Sequence, residues 1–235
     1  MDLPKNQNMK KITQFALLAF LLISTSNFLQ AQENGRLVGQ GKIVFEISYP
    51  NSQLDQQTLA MMPTESVLYF KGNMSRSEIQ MGIGSTAIIS DHKLGETITL
   101  MDMLGNKSAI KSTKLDAEAE RSSNNKPTVE LKSDTKVIAG YNCKKAVVST
   151  TGRNGGMSFD VWYTTELMAR NSFQSEIEGI DGFMMEFQTE QNGMNMKMTA
   201  KSFEEMQVDD SKFMVPDSYT VMTKEQFQQM HKGGK

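Results

Sequence analysis

Asn192-Gly193, set between two runs of alternating apolar residues, constrains this chain more than any other feature of it. A two-residue hairpin loop of type I′ needs positive φ at both central positions, and Asn followed by Gly tolerates this best. Such a loop fixes the register. Pairing Gln191 with Met194 sets Thr189 opposite Met196, Phe187 opposite Met198, Met185 opposite Ala200 and Phe183 opposite Ser202, all on one face by the two-residue period. That face is apolar. The other face pairs Glu190 with Asn195, Gln188 with Lys197, Glu186 with Thr199 and Met184 with Lys201, so carboxylates come to lie near lysines. A slip of one residue would exchange the two faces, so the register is strongly specified.

Residues 1–31 read as a secretory signal peptide: Met9-Lys10-Lys11 gives a basic start, Phe15 to Ile23 an apolar run, and Leu29-Gln30-Ala31 a cleavage-like site. The run is too short to span a bilayer. Residues 1–8 look like an extended start ahead of an initiator at Met9, and mature protein is expected from about Gln32. No cysteine follows the run, so lipid anchoring is not expected. The product is expected in the periplasm or secreted, with no transmembrane segment in the mature chain.

Residues 1–31 carry a net charge of +2, so about −4 of the mature chain remains behind the overall −2. No basic stripe suited to phosphates is present, which argues against nucleic acid as a partner. Cys143 is the only cysteine, so no internal disulfide can form, and it reads as a small buried hydrophobe.

Gly41–Tyr49 alternates as a strand, Asn51–Met62 reads as a loop or short helix ending before Pro63, and Val67–Lys71 with Met74–Met81 forms a hairpin across Gly72-Asn73. Thr86–Asp91, Glu96–Asp102 and Lys107–Lys111 continue a meander. The charged, Asn/Ser-rich stretch Thr113–Thr128 reads as an exposed crossing segment or frayed helix. Val129–Ile138, Asn142–Thr150 and Met157–Tyr163 are strands, and Glu166–Ile177 is expected to be helical. Asp209–Tyr219 reads as irregular and extended. Thr223-x-x-Gln226 is a capping-box start for a short polar helix. The predicted class is mainly β (α+β): a curved antiparallel sheet forming a half-barrel with one or two short helices, as a single domain over 32–223 followed by a helix or tail over 224–235.

Catalytic signatures are missing: the sequence contains no GxSxG, Walker loop, HExxH or CxxC. Gly82-Ile83-Gly84-Ser85 reads as a turn. The two histidines, His92 and His231, would need partners brought from elsewhere in the fold. Glu204-Glu205 and Asp209-Asp210 are adjacent pairs whose side chains point to opposite faces of a strand, and they read as solvated charges. No catalytic residue, cofactor or metal site is expected. The nineteen methionines are the compositional outlier. They fit a packed core, an adaptable groove for an acyl chain lined by Phe183, Met185, Phe187, Met194, Met196 and Met198, or thioether ligation of Cu(I) by Met194, Met196 and Met198.

Ile138-Ala139-Gly140-Tyr141-Asn142-Cys143-Lys144-Lys145-Ala146, Val161-Trp162-Tyr163-Thr164, Gly179-Ile180-Asp181-Gly182-Phe183 and Val208-Asp209-Asp210-Ser211-Lys212-Phe213, with Pro216 and Tyr219, resemble the Bacteroidota family of unknown function number 4412 over about Gly41–Thr223. That resemblance implies the lipoprotein-carrier fold of LolA and LolB, a curved half-barrel holding acyl chains under a helical lid. It transfers no catalytic residue. This chain departs from the carriers in showing no basic lid helix and no lipoprotein cysteine. The expected function is a non-enzymatic binder of a lipid or acyl-chain ligand. The alternative is a structural or interaction module whose partner is an envelope protein.

Overall fold

The computed structural model describes residues 35–50, 52–116, 127–152, 155–169, 177–191 and 194–232. The signal peptide expected over 1–31, most of the charged stretch after Thr113, and the Asn192-Gly193 loop itself lie outside the described residues.

Short alternating runs joined by tight turns make a meander. β1 (Arg36–Val38) precedes β2 (Gln40–Ser48), which buries Ile43, Phe45 and Ile47 and exposes Glu46 and Ser48. After helix α1 (Gln56–Met61) come β3 (Glu65–Lys71), β4 (Met74–Met81), β5 (Gly84–Asp91), β6 (Glu96–Met103) and β7 (Asn106–Ser112), each antiparallel to the one before. On the other flank of β2 lie β8 (Thr128–Ile138), β9 (Tyr141–Gly152), β10 (Gly155–Thr164), β12 (Phe183–Gln191) and β13 (Met194–Glu204). The described residues form one twelve-stranded sheet in the order β14-β7-β6-β5-β4-β3-β2-β13-β12-β10-β9-β8, where β14 is Thr220–Thr223. Its two ends do not meet, so the barrel stays open. β1 pairs separately, and in parallel, with β11 (Leu167–Ala169).

The sheet is curved. Lys136 of β8 reaches Glu186 of β12 at 2.8 Å although β9 and β10 stand between them. Three strand spacings in a flat sheet would be about 14 Å, well beyond a lysine side chain. Curling also brings Ile138 and Cys143 onto Phe45, Phe183 and Met185 in the main core, together with Val38, Ile43, Phe70, Leu167 and Ala200.

A second crossing organises the meander half. Beyond β13 the chain runs over β2, β3 and β4 as a strap. Val208 N–H donates to Gln40 Oε1, Lys71 Nζ binds the Val208 carbonyl and Asp210, and Arg76 donates to the Lys212 carbonyl. A 3-10 turn (Asp210–Phe213) lies in this strap, capped by Asp209. Phe213, Val215 and Tyr219 then cover Ala87, Ile89, Leu100 and Ala109, and the strap ends in β14, parallel to β7. Helix α2 (Lys224–Lys232) follows with the predicted capping box complete: Thr223 N–H donates to Gln226 Oε1 at 2.8 Å and Gln226 N–H to Thr223 Oγ1 at 3.2 Å.

Two expectations change, and the expected antiparallel sheet carries one parallel edge. Glu166–Ile177 does not begin as a helix: Leu167–Ala169 is a strand, held by β1 and by the Arg36 N–H to the Glu166 carbonyl, so tertiary pairing overrides a weak helical stripe. The sheet is mixed, because β14 runs parallel to β7. The β12–β13 ladder extends from Gln191↔Met194 to Glu186↔Thr199 as predicted, but Met185–Ala200, Met184–Lys201 and Phe183–Ser202 are not part of it. Register shifts beside both strands explain the break. On their other edges Met184 and Phe183 pair with Tyr163 and Thr164 of β10, and Ala200 and Ser202 with Phe45 and Val44 of β2.

Gly84 marks a close approach of β5 to β6: a Cβ there would stand 2.0 Å from the Asp102 carbonyl oxygen. Backbone cannot yield as a side-chain tip can. Gly84→Ala should therefore lower stability by about 1–3 kcal/mol, read as a fall in the urea midpoint without a change in slope.

Candidate functional site

The hairpin face that carries the predicted ligand-binding residues is largely filled by the protein's own side chains. Phe183 and Met185 are fully buried and Met196 is buried, while Phe187 and Met198 are half-buried at the margin of the main core. Phe45 meets Phe187 edge-on at 5.7 Å, and Phe183 lies 5.7 Å from Phe70 and 6.0 Å from Phe203. Tyr141, from the β8–β9 tip, closes on Phe203 at 5.8 Å. The Met194 side chain lies outside the described residues, so the proposed Met194, Met196, Met198 thioether set is described only at Met196 and Met198. Of these, Met196 is the more deeply packed.

The polar face holds a charge cluster that local spacing only half reveals. Glu186 sits opposite Thr199, as the register predicts, and its carboxylate accepts from Thr199 Oγ1 at 3.1 Å. Lys197 reaches it at 3.0 Å rather than staying beside Gln188, and Lys136 arrives at 2.8 Å from a strand fifty residues earlier. Lys136 Nζ also lies 4.3 Å from the Trp162 ring centroid, and Lys145 packs at 5.8 Å from the same ring while pairing with Asp160 at 2.8 Å. No sequence signal links Lys136 or Trp162 to Glu186. Only the curl of the sheet does.

Glu186 is 7 % exposed. Burial alone would raise its pKa, but hydrogen bonds and charge from Lys136 and Lys197 outweigh that and hold the carboxyl below the usual glutamate range. The carboxyl is therefore held ionised, paired with both lysines.

Elsewhere, His92 Nε2 lies 2.8 Å from Ser75 Oγ. Ser75 is buried, and Oδ1 of neighbouring Asp91 accepts from the amides of Lys93 and Leu94. This contact ties the β5–β6 turn to β4. The 231 side chain lies outside the described residues. Asp209 caps the 3-10 turn and Asp210 pairs with Lys71, while Glu205 pairs with Arg36, so those predicted solvated carboxylates serve as ties for the strap and for β1. Cys143 is fully buried, and burial pushes its thiol up to about 11.

Two measurements test this picture. Because the Glu186 carboxyl titrates lower folded than unfolded, its contribution is present above the ordinary glutamate range and is lost as pH falls through the lowered value. Glu186→Gln should therefore flatten the acid limb of the stability–pH curve. At pH 7 it should cost about 1–3 kcal/mol, towards the low end because both lysines keep a third of their side-chain surface in water. Cys143 should resist a thiol reagent in the native protein at pH 8 and react fully once urea unfolds it. Fast native labelling would contradict the burial.

Among known proteins, the family described as "N-glycanase peptide, N-terminal domain" matches residues 52–227. It is a different family from number 4412, which the motifs resemble. No curated protein matches the chain. Among solved structures, the crystal structure of LprF from Mycobacterium bovis shares 11% identity, covering 77% of this chain and 91% of that chain, with a TM-score of 0.34. At that score nothing about this chain is derived from the likeness. No helix among the described residues is long and apolar enough to cross a membrane. With three quarters of its length matched, the chain belongs to the family of N-glycanase peptide N-terminal domains.

Proposed function

We propose that this chain is an exported, non-enzymatic interaction module of the cell envelope, working as a rigid β platform rather than as a carrier. One observation carries the reading: Phe183, Met185 and Ala200 are packed against Val38, Ile43, Phe45, Phe70 and Ile138, so the sheet's strongest apolar face is spent on its own core. Buried methionines such as Met185 and Met196 then act as gap-fillers where strands curl and register shifts leave irregular space. The family description names an N-terminal domain of an N-glycanase peptide. The buried carboxylate that sequence and fold bring into a polar cluster is neutralised by two lysines, which suits a scaffold.

A second reading, binding of a lipid or acyl chain, has its own support. Phe187 and Met198 remain half-buried at the edge of the main core, and flexible thioethers can repack around a guest. Native mass spectrometry of the chain made in a lipid-containing host separates the two. A filled module runs at its apo mass and leaves a fluorescent fatty acid unbound. A co-purifying lipid displaced by that probe, and weakened by Met198→Lys, would overturn the platform reading in favour of the carrier. Incubation with an N-glycosylated protein should leave its glycans attached, and their release would show the module to be an enzyme.

A further inference from the structure

The two ends of the twelve-stranded sheet are built differently. At one end β14 is four residues long and runs directly into α2, and a short edge strand is one way in which sheets avoid pairing with another chain. At the other end β8 runs for eleven residues, Thr128–Ile138, and among the described residues no strand lies beyond it.

The turn decides which backbone groups of β8 face outward. Ala139 and Gly140, at φ 49° and 86°, form the two-residue loop between β8 and β9, so the flanking pair Ile138↔Tyr141 exchanges hydrogen bonds, as does every second residue of β9 after it. Lys136↔Cys143, Glu130↔Val147 and Thr128↔Ser149 are such pairs. The N–H and C=O groups of Val129, Leu131, Thr135 and Val137 therefore point away from β9. All four side chains are uncharged, and Leu131 and Val137 are 58 % and 65 % exposed.

The charged residues of β8 stand between these positions: Glu130, Lys132, Asp134 and Lys136 alternate in sign. An antiparallel two-fold axis through Ser133 turns that order into its own complement. Glu130 then faces Lys136 of the second copy and Lys132 faces Asp134, while Leu131 meets Thr135 and Val129 meets Val137. This register overlaps the whole strand and sets outward-facing backbone groups against each other. A slide of two residues, the smallest that keeps the hydrogen-bonding pattern, brings like charges together in either direction. One slide sets Glu130 opposite Asp134 and Lys132 opposite itself; the other sets Lys132 opposite Lys136 and Asp134 opposite itself. Within one chain Glu130 contacts Lys132 as an exposed pair, which is easily exchanged. Lys136 binds Glu186 and keeps further donors for a second carboxylate. The ladder to β9 shifts between Leu131 and Thr135, and such a bulge hinders a straight foreign strand. A second copy bends at the same residues, and the axis passes through the bulge, so the arms on either side stay matched.

We propose that β8 is a self-association edge: two copies of this chain pair their β8 strands antiparallel about Ser133 and form one continuous sheet. The interface is isologous and closes at two copies. It is independent of whether the core is filled or holds a ligand.

Sedimentation velocity on the exported protein tests it. The wild type should pass from monomer to dimer as concentration rises, and a monomer throughout, up to the millimolar range, overturns the proposal. Lys132→Glu and Asp134→Lys should each weaken the dimer by about tenfold or more, because the axis repeats every like-charged contact. Both variants should keep the wild-type circular dichroism. An equimolar mixture of the two should regain the wild-type dimer, since the carboxylates of one chain then face the ammonium groups of the other. Either variant dimerising as tightly as the wild type, or a mixture of folded variants that stays monomeric, overturns the pairing of β8 about Ser133.

Discussion

The pairing of β13 with β2 is the joint on which the architecture depends. Most neighbours in the large sheet are also neighbours in sequence, but this pair brings residues 42–48 against residues 197–204 and so closes the chain's longest loop. Through it a six-stranded meander and a late hairpin group become one sheet. The joint also fixes where the strap starts, because the chain leaves β13 in the middle of the sheet and must travel over β2, β3 and β4 before it can end beside β7. Such a long-range closure has an entropic cost that is met before most other contacts can form, as in other sheets of high contact order.

Once that joint is made, curvature decides which groups meet. Curling lays the β8–β9 tip over the core, buries Ile138 and Cys143, and carries Lys136 across two strands to Glu186. The carboxylate is thereby removed from water with two lysines and a threonine around it. A group so placed specifies how the sheet must curl, since an uncurled sheet would leave it buried and less well paired. The apolar core and this polar cluster constrain the same bend from different strands.

The contrast between filled core and bare tips shapes the functional reading. Large apolar side chains on the hairpin are covered, while Leu104 and Ile83 at the far end of the meander are not. Loops carried on a stiff scaffold commonly hold function.

Much of this was legible in the residues. The two-residue turn at Gly72-Asn73 set the register of its hairpin, the sequence around positions 192 and 193 anticipated the pairing of Gln191 with Met194, the alternation of Ile43, Phe45 and Ile47 fixed the buried side of β2, and Thr223 with Gln226 marked the start of α2. These are local effects, written in backbone preference and in the period of two. The helix expected over Glu166–Ile177 fails at its start because β1, a strand more than a hundred residues earlier, captures Leu167–Ala169. Likewise β14 exists only because the strap delivers Thr220–Thr223 to the β7 edge. The six hairpin residues were recognised as one apolar set, yet whether they would line a groove or fill a core depended on how far the β8–β9 tip folds over them. By itself the sequence determined the strands, the turns and most of the hairpin register, since these rest on neighbours within a few residues. Only the tertiary structure decided the curl, the meeting of Lys136 with Glu186 and the covering of the methionine face, because each requires strands that no local preference brings together.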